Sequence, residues 1–247
     1  MPVYLEILIL FGVGLLAGVI NVMAGGGSSL TLPALIFIGL DSTVANGTNR
    51  IGILLQSVSA TLSYRKAKIS ELEKSMRLSL LTLPGALLGA LVSLKISNEW
   101  FDRILGIVMI GIIVSMLVPQ KFEVITSGEK KSKLIYPVMF AIGFYGGFIQ
   151  VGVGFLIMAA LYHLLRMDLI RVNMHKVFIT MLFTVPALLI FIWTGNVNWV
   201  FGLCLAAGNS IGGWWAARIS LKGGEKAVRY VMVIAIFIIA LKLLGII

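Results

Sequence analysis

The segment Asn21-Val-Met-Ala-Gly-Gly-Gly-Ser-Ser-Leu-Thr-Leu-Pro33 concentrates polar and conformationally free residues inside an otherwise apolar stretch. Gly25, Gly26 and Gly27 permit positive φ and the close approach of another group. Ser28 or Ser29 is placed to cap a helix that restarts there. A helix that begins inside a bilayer presents free N–H groups and partial positive charge, a setting that suits an anion. Glycines alone would also serve plain helix packing. The adjoining serines and Asn21 favour a solute site.

A second segment, Gln150-Val-Gly-Val-Gly154, has the same character in weaker form. Gly152 and Gly154 keep the backbone freedom, but Phe155 and Leu156 stand where the first segment has serines. There the main chain would carry the contact, with the Gln150 side chain adding an amide.

Two further clusters are polar. Asn46-Gly-Thr-Asn49-Arg50 and Asn173-Met-His175-Lys176 each open an apolar run. A cation at the bilayer centre costs about 2.5–3.5 kcal/mol on insertion scales. Arg50 and Lys176 therefore admit two readings, solute contact at depth or snorkelling to the interface. His175 is a candidate for proton coupling, or else a hydrogen-bonding residue at the interface. Gln56 and Asn209 lie inside apolar runs, where amides bond between helices or line a path.

These residues need elements to position them, and the composition says what kind. Of 247 residues, 59% are hydrophobic and 12% charged, with mean hydropathy +1.04. Soluble domains carry about 25% charged residues. A water-soluble enzyme and a disordered chain are both excluded, and a polytopic membrane protein in the lipid bilayer is expected. Apolar runs fall at 3–24, 30–40, 45–64, 75–94, 104–118, 134–151, 155–165, 173–193, 199–220 and 228–247. Most are long enough to span as helices. The runs 30–40 and 155–165 are short, and each follows a glycine cluster, the pattern of broken or re-entrant helices. Residues 1–16 carry Glu6 and no basic n-region, so they are expected to be retained structure rather than a cleaved signal peptide.

The chain matches itself at an offset of 127 residues. Residues 24–27 fall on 151–154, Asp41 on Asp168, Asn46 on Asn173, Gly85 on Gly212 and Ser93 on Ser220. The hydropathy blocks superpose at the same offset, as in repeat-built transporters. The expected fold is all-α, with two repeats over 1–118 and 134–247. Each repeat is a Gly-broken hairpin followed by three transmembrane helices, about eight full-length spans plus two short half-helices in one transmembrane domain. Residues 119–133 form the linker.

Charge orients the repeats. The net charge is +10. If each broken unit returns to its starting side, one side receives Arg65, Lys66, Lys68, Lys74, Arg77, Lys121, Lys130, Lys131, Lys133, Arg166, Arg171, Lys176, Arg218, Lys222, Lys226 and Arg229. The other receives only Arg50, Lys95, Arg103 and Lys242. If each unit crosses once, the asymmetry vanishes. The positive-inside rule selects the first arrangement: inverted repeats, a cytoplasmic linker and both termini outside. The basic balance is thus read as topology, not as nucleic-acid binding.

Enzyme signatures are missing from the sequence. It has no Walker loop, no His-Glu-x-x-His and no Gly-x-Ser-x-Gly. The single cysteine, Cys204, allows neither an internal disulfide nor a thiolate metal site. No cofactor, metal or catalytic residue is expected.

The sequence resembles the TauE/SafE family of membrane proteins, named for sulfite and organosulfonate exporters. The resemblance rests on Gly18-Val-Ile-Asn-Val-Met-Ala-Gly-Gly-Gly-Ser-Ser-Leu-Thr-Leu-Pro33, Ala45-Asn-Gly-Thr-Asn49, Gln56-x-Ser-x-Ser59 and Tyr64-Arg-Lys. In the second half it rests on Gly146-Gly-Phe-Ile-Gln-Val-Gly-Val-Gly154, Val172-Asn-Met-His-Lys176 and Gly195-Asn-Val-Asn-Trp199. Val153 interrupts the second glycine block, a departure from a three-glycine form that argues against a symmetric two-lobed site. The resemblance implies an inner-membrane exporter of sulfite or related sulfur-containing anions.

The expected function is a secondary transporter for a small anionic solute working by alternating access, with H⁺ or Na⁺ as coupling ion, alone or as a homo-oligomer. The alternatives are a channel or facilitator for another small solute and a non-transporting membrane subunit. The expected solute-binding residues are Asn21, Gly25, Gly26, Gly27, Ser28, Ser29, Asn49, Arg50, Gln56, Gln150, Gly152, Gly154, His175, Lys176 and Asn209. The topology has a direct test. A cysteine replacing Lys131 should be labelled only from the cytoplasm, and one replacing Asn196 only from outside. The reverse pattern would refute the charge argument.

Overall fold

A computed structural model describes residues 2–69, 71–117 and 132–243, and side chains for 2–69, 71–112 and 132–222. Among the described residues every regular element is helical, in the order α1 (Val3–Met23), α2 (Ser28–Phe37), α3 (Ser42–Lys66), α4 (Leu72–Lys95), α5 (Asn98–Leu117), α6 (Ile135–Phe148), α7 (Val153–Leu165), α8 (Leu169–Trp193) and α9 (Trp199–Leu243). Helices α1, α4 and α8 are long and apolar enough to cross a bilayer. Most of the expected linker, 119–131, lies outside the described residues, as do residues 244–247.

The two glycine clusters break the chain as their composition predicts. Helix α1 ends at Met23, and α2 restarts five residues later, at Ser28, as a helix of only 10 residues. Helix α6 ends at Phe148, and α7 restarts at Val153 for 13 residues. Positive φ at Gly25 (95°) and Gly152 (71°) makes the two turns.

Three boundaries differ from the apolar runs. Run 134–151 yields only the 14-residue α6, because the chain turns extended at Ile149. Runs 199–220 and 228–247 join as the single 45-residue α9. Gly223 and Gly224 weaken that junction without breaking it: no proline intervenes, and glycine costs a helix only about 1 kcal/mol per residue. At α2, Gly27 is the N-cap and no side chain caps it, so Ser28 and Ser29 are the first helical residues rather than caps. Their hydroxyls are already donated to the carbonyls of Gln150 and Gly26.

The helix pairing crosses between the two chain halves. Helix α1 packs chiefly on α9, and α4 on α6. Both seams are built from facing small-xxx-small pairs. A Cβ on Gly85 or Gly89 would sit 2.2 or 2.0 Å from the carbonyl oxygens of Phe140 and Phe144. One on Gly143 or Gly147 would sit 2.1 or 2.0 Å from those of Thr82 and Ala86. Gly14 and Gly18 meet Leu205 and Asn209 in the same way, and Gly208 and Gly212 meet Phe11 and Leu15. Only glycine lets backbones approach this closely. The outer surface is apolar. Leu8, Leu16, Leu80, Leu88, Ile107 and Trp193 are all exposed, an arrangement suited to lipid.

Gly147→Leu should therefore force α4 and α6 apart, at about 1–3 kcal/mol or more. The control is Gly106→Leu, because Gly106 faces open space. Thermal unfolding in detergent should show a lowered midpoint for the first variant and little change for the second.

Candidate functional site

The two breaks meet. A Cβ on Gly25 would lie 2.5 Å from the Gly154 carbonyl carbon, and one on Gly154 would lie 2.5 Å from the Gly25 Cα. The start of α2 therefore abuts the start of α7, backbone on backbone. Ser28 Oγ donates across this contact to the Gln150 carbonyl (3.1 Å). The N–H groups of Gly27, Ser28 and Gly154 donate to no acceptor among the described residues, as befits helix starts.

Where the helices stop, the opposite requirement arises. Their last carbonyls lack partners, and each set is met from the other half of the chain. Arg50, on α3, donates to the carbonyls of Gly146 (3.1 Å) and Gly147 (2.5 Å) at the end of α6. Asn46, one turn earlier, donates to Phe148 (2.9 Å). Lys176, on α8, donates to the Val22 carbonyl (2.7 Å) at the end of α1, and Asn173 donates to Met23 (3.4 Å). Asn46 and Asn173 are a pair at the 127-residue offset. The cations also suit the negative ends of the helix dipoles. Arg50 is 0% exposed and Lys176 2%, so neither snorkels to an interface.

The environments of the two cations then diverge. The Arg50 guanidinium lies 4.8 Å above the Phe191 ring, a cation–π contact. Lys176 also donates to Asn173 Oδ1 (2.8 Å), and it borders a cavity of about 10 Å³, room for about one water. Asn21, Ser28, Gln56, Gln150 and Gly154 line the same cavity, and among its described lining residues Lys176 is the one charged side chain. Asn21 Nδ2 donates to Gln56 Oε1 (3.2 Å), and Gln150 Nε2 to Thr184 Oγ1 (2.6 Å). The buried Gln150 Oε1 has no hydrogen-bond partner among the described residues.

A family model described as "Sulfite exporter TauE/SafE" matches residues 10–243. The chain belongs to the sulfite exporter TauE/SafE family. It is similar to the "Probable membrane transporter protein YfcA" of Escherichia coli K12, 30% identical over 243 residues, 96% of this chain and 88% of that one. It is also similar to the "Probable membrane transporter protein ORF9" of Sinorhizobium sp, 27% identical over 96% of this chain and 91% of the relative. The "Probable membrane transporter protein YunE" of Bacillus subtilis is 26% identical over 97% of this chain and 98% of its own. No solved structure matches the chain. The family is described as one of sulfite exporters and these relatives are named as probable membrane transporters, which makes the chain a membrane transporter by family and not an enzyme.

In this TauE/SafE protein, six of the residues expected at the site share the central cavity: Asn21, Ser28, Gln56, Gln150, Gly154 and Lys176. Gly25, Gly26, Gly27 and Gly152 build the breaks beside it without lining it. Ser29 is spent on its local bond to Gly26. Asn49 Oδ1 accepts from Thr31 Oγ1 (2.6 Å), tying α2 to α3. Asn209 is buried at the crossing of α1, α3 and α9, against Gly18 and Gly52, and its amide has no partner among the described residues. His175 faces α4, where its Nδ1 lies 2.8 Å from Ser75 Oγ. Thr180 lines the cavity and Thr184 supports Gln150, and neither was singled out from the sequence. Their signal is the polar stripe Asn173, Lys176, Thr180, Thr184, at helical spacing along α8.

Replacing Arg50 with Met would strip the Gly146 and Gly147 carbonyls of a charged donor. Hydrogen bonds to charged groups contribute about 1.5–3 kcal/mol, so the thermal midpoint should fall by roughly 5–10 °C for a chain of this length. An unchanged midpoint would show that the capping bonds carry no stability.

Proposed function

We propose that the protein is a secondary transporter, working as an exporter, of small sulfur-containing anions such as sulfite or organosulfonates. The observation that carries this reading is the meeting of two helix starts at a buried polar cavity. Ser28 and Gly154 bring unpaired main-chain N–H groups to it, Lys176 brings positive charge, and the described lining residues include no carboxylate. Helix N-termini and a cation in a low-dielectric setting select an anion. Sulfur enters from the family and from the printed description of its model, not from the geometry.

The cavity has room for about one water and none for sulfite. The described conformation is thus a closed one in this reading, and a solute enters only when the halves move. The two halves, read as inverted repeats, supply the moving bodies for alternating access: the hairpin α1–α2 with α3, α4 and α5, and the hairpin α6–α7 with α8 and the continuous α9. The protein sits in the inner membrane with the 119–133 linker cytoplasmic and the N-terminus outside, whereas the continuity of α9 removes the crossing that would carry the C-terminus outside as well. H⁺ or Na⁺ couples the cycle, in a monomer or a homo-oligomer. Asn21, Gln56 and Gln150 orient the solute, and Gly25, Gly26, Gly27 and Gly152 shape the breaks. The polar cavity beside the Gly25–Gly154 contact speaks against a non-transporting subunit.

Purified protein in liposomes should move radiolabelled sulfite or a small sulfonate. Ser28→Leu, which fills the cavity edge and removes the bond to Gln150, should reduce flux by about tenfold or more with expression intact, the loss of about 1.4 kcal/mol or more of transition-state stabilisation. Absence of flux and of ligand-induced thermal shift with any small anion would sink the proposal.

A further inference from the structure

Beside the central cavity lies a second polar cluster that anion binding does not use. Glu71, the N-cap of α4, accepts from Arg171 Nε (2.6 Å) and pairs with its NH2 (2.5 Å), joining the start of α4 to the start of α8. Ser75 sits one turn into α4, and His175 nearly two turns into α8. Ser75 Oγ is 2.8 Å from His175 Nδ1, and His175 Nε2 is 3.6 Å from the other Glu71 carboxylate oxygen. The side chain of His175 is 0% exposed and that of Glu71 34%. An imidazole buried in the protein thus lies between a buried hydroxyl and a carboxylate that reaches water.

The position of this cluster relative to the cavity matters. A small second cavity is bordered by Tyr64, Arg65, Glu71, Ser75, Met174 and Phe178. On α3 the central cavity is lined by Gln56 and Ser57, and this one by Thr61, Tyr64 and Arg65. It therefore lies one to two helical turns further toward the basic end of α3. On α8 the two cavities alternate: Met174 and Phe178 border the second, Lys176, Val177 and Thr180 the first. His175 stands at the junction, next in sequence to the cation of the central cavity.

Resting on the anion-transport reading above, we propose that His175 is the proton-binding site of the carrier and that its proton travels with the anion. In the tautomer whose Nδ1–H is donated to Ser75 Oγ, the imidazole turns the Nε2 lone pair toward Glu71. A proton from water, taken first by the Glu71 carboxylate, passes to Nε2. This leaves an imidazolium facing a restored carboxylate, and release reverses the transfer. The charged and titratable groups around it are Glu71 from α4, Tyr64 and Arg65 from the end of α3, Arg171 and Lys176 on α8, and Asp168 at the α8 N-cap. Glu71 and Arg171 already satisfy one another, so the added proton is a net positive charge one residue from the site. That charge raises affinity for an anion, and by linkage a bound anion raises affinity for the proton.

The test measures protons moved per anion in lightly buffered proteoliposomes containing a pH indicator, with the membrane potential clamped. The probes are isethionate, which does not titrate near neutral pH, and sulfite, corrected for its own titration with protein-free permeabilised vesicles. Wild-type protein should move about one proton per anion, and His175→Gln close to none. Glu71→Gln, which leaves His175 in place, should slow proton entry and shift the pH dependence of flux. Anion flux in wild type without protons overturns the proposal, as does an undiminished ratio in His175→Gln. If that variant does not fold, an unaltered pH profile in Glu71→Gln overturns it. No anion flux in wild type at all refutes the transport reading instead.

Discussion

A helix interrupted in a buried interior leaves backbone carbonyls with neither a next turn nor water to satisfy them. Everything else in this molecule is arranged around that constraint. Here each broken helix is answered by an Asn and a cation from the opposite half: Asn46 and Arg50 for α6, Asn173 and Lys176 for α1. The glycine seams serve the same end. The α1–α9 and α4–α6 contacts bring each interrupted helix against a span of the other half at backbone distance, holding the donors in reach of the carbonyls. The caps and the seams therefore depend on each other.

The reciprocity is not complete, and the difference has chemical content. Arg50 is covered by Phe191 and bordered by carbonyls, so its charge is absorbed by structure. Lys176 donates to Val22, to Asn173 and to the weakly accepting Met158 sulfur, and its charge still borders the polar cavity. Arginine offers a planar fork that engages two carbonyls at once, whereas an ammonium is a compact charge with three freely directed donors. The residue types at the two positions match these two tasks.

Much of this was legible in the residues themselves. The glycine clusters marked both breaks, and of the polar residues beside them Asn21, Ser28 and Gln150 line the cavity while Ser29 does not. The offset of 127 pairs Asn46 with Asn173, and each donates to a carbonyl at a helix end of the other half. Three things were not legible. Which carbonyl a buried cation satisfies depends on contacts across about 100–150 residues, and no local pattern records them. Helix caps depend on where the chain turns within one residue, so Ser28 and Ser29 could not be distinguished from true caps. The continuity of α9 was hidden because paired glycines and charges look like a loop, although neither forbids a helix.

The crossed capping also has a consequence for how the chain is made. The Lys176 donor that satisfies Val22 lies 154 residues later in the sequence. At about 5–20 residues per second of synthesis, that separation is roughly 8–30 s. For that interval α1 has entered the membrane with an end that nothing in the nascent chain yet covers. It must wait near the interface, near water, or in the care of the insertion machinery until α8 arrives. The finished fold is thus closed by its last helices, and a chain that stops after its first half would present two unsatisfied surfaces to the quality control of the cell.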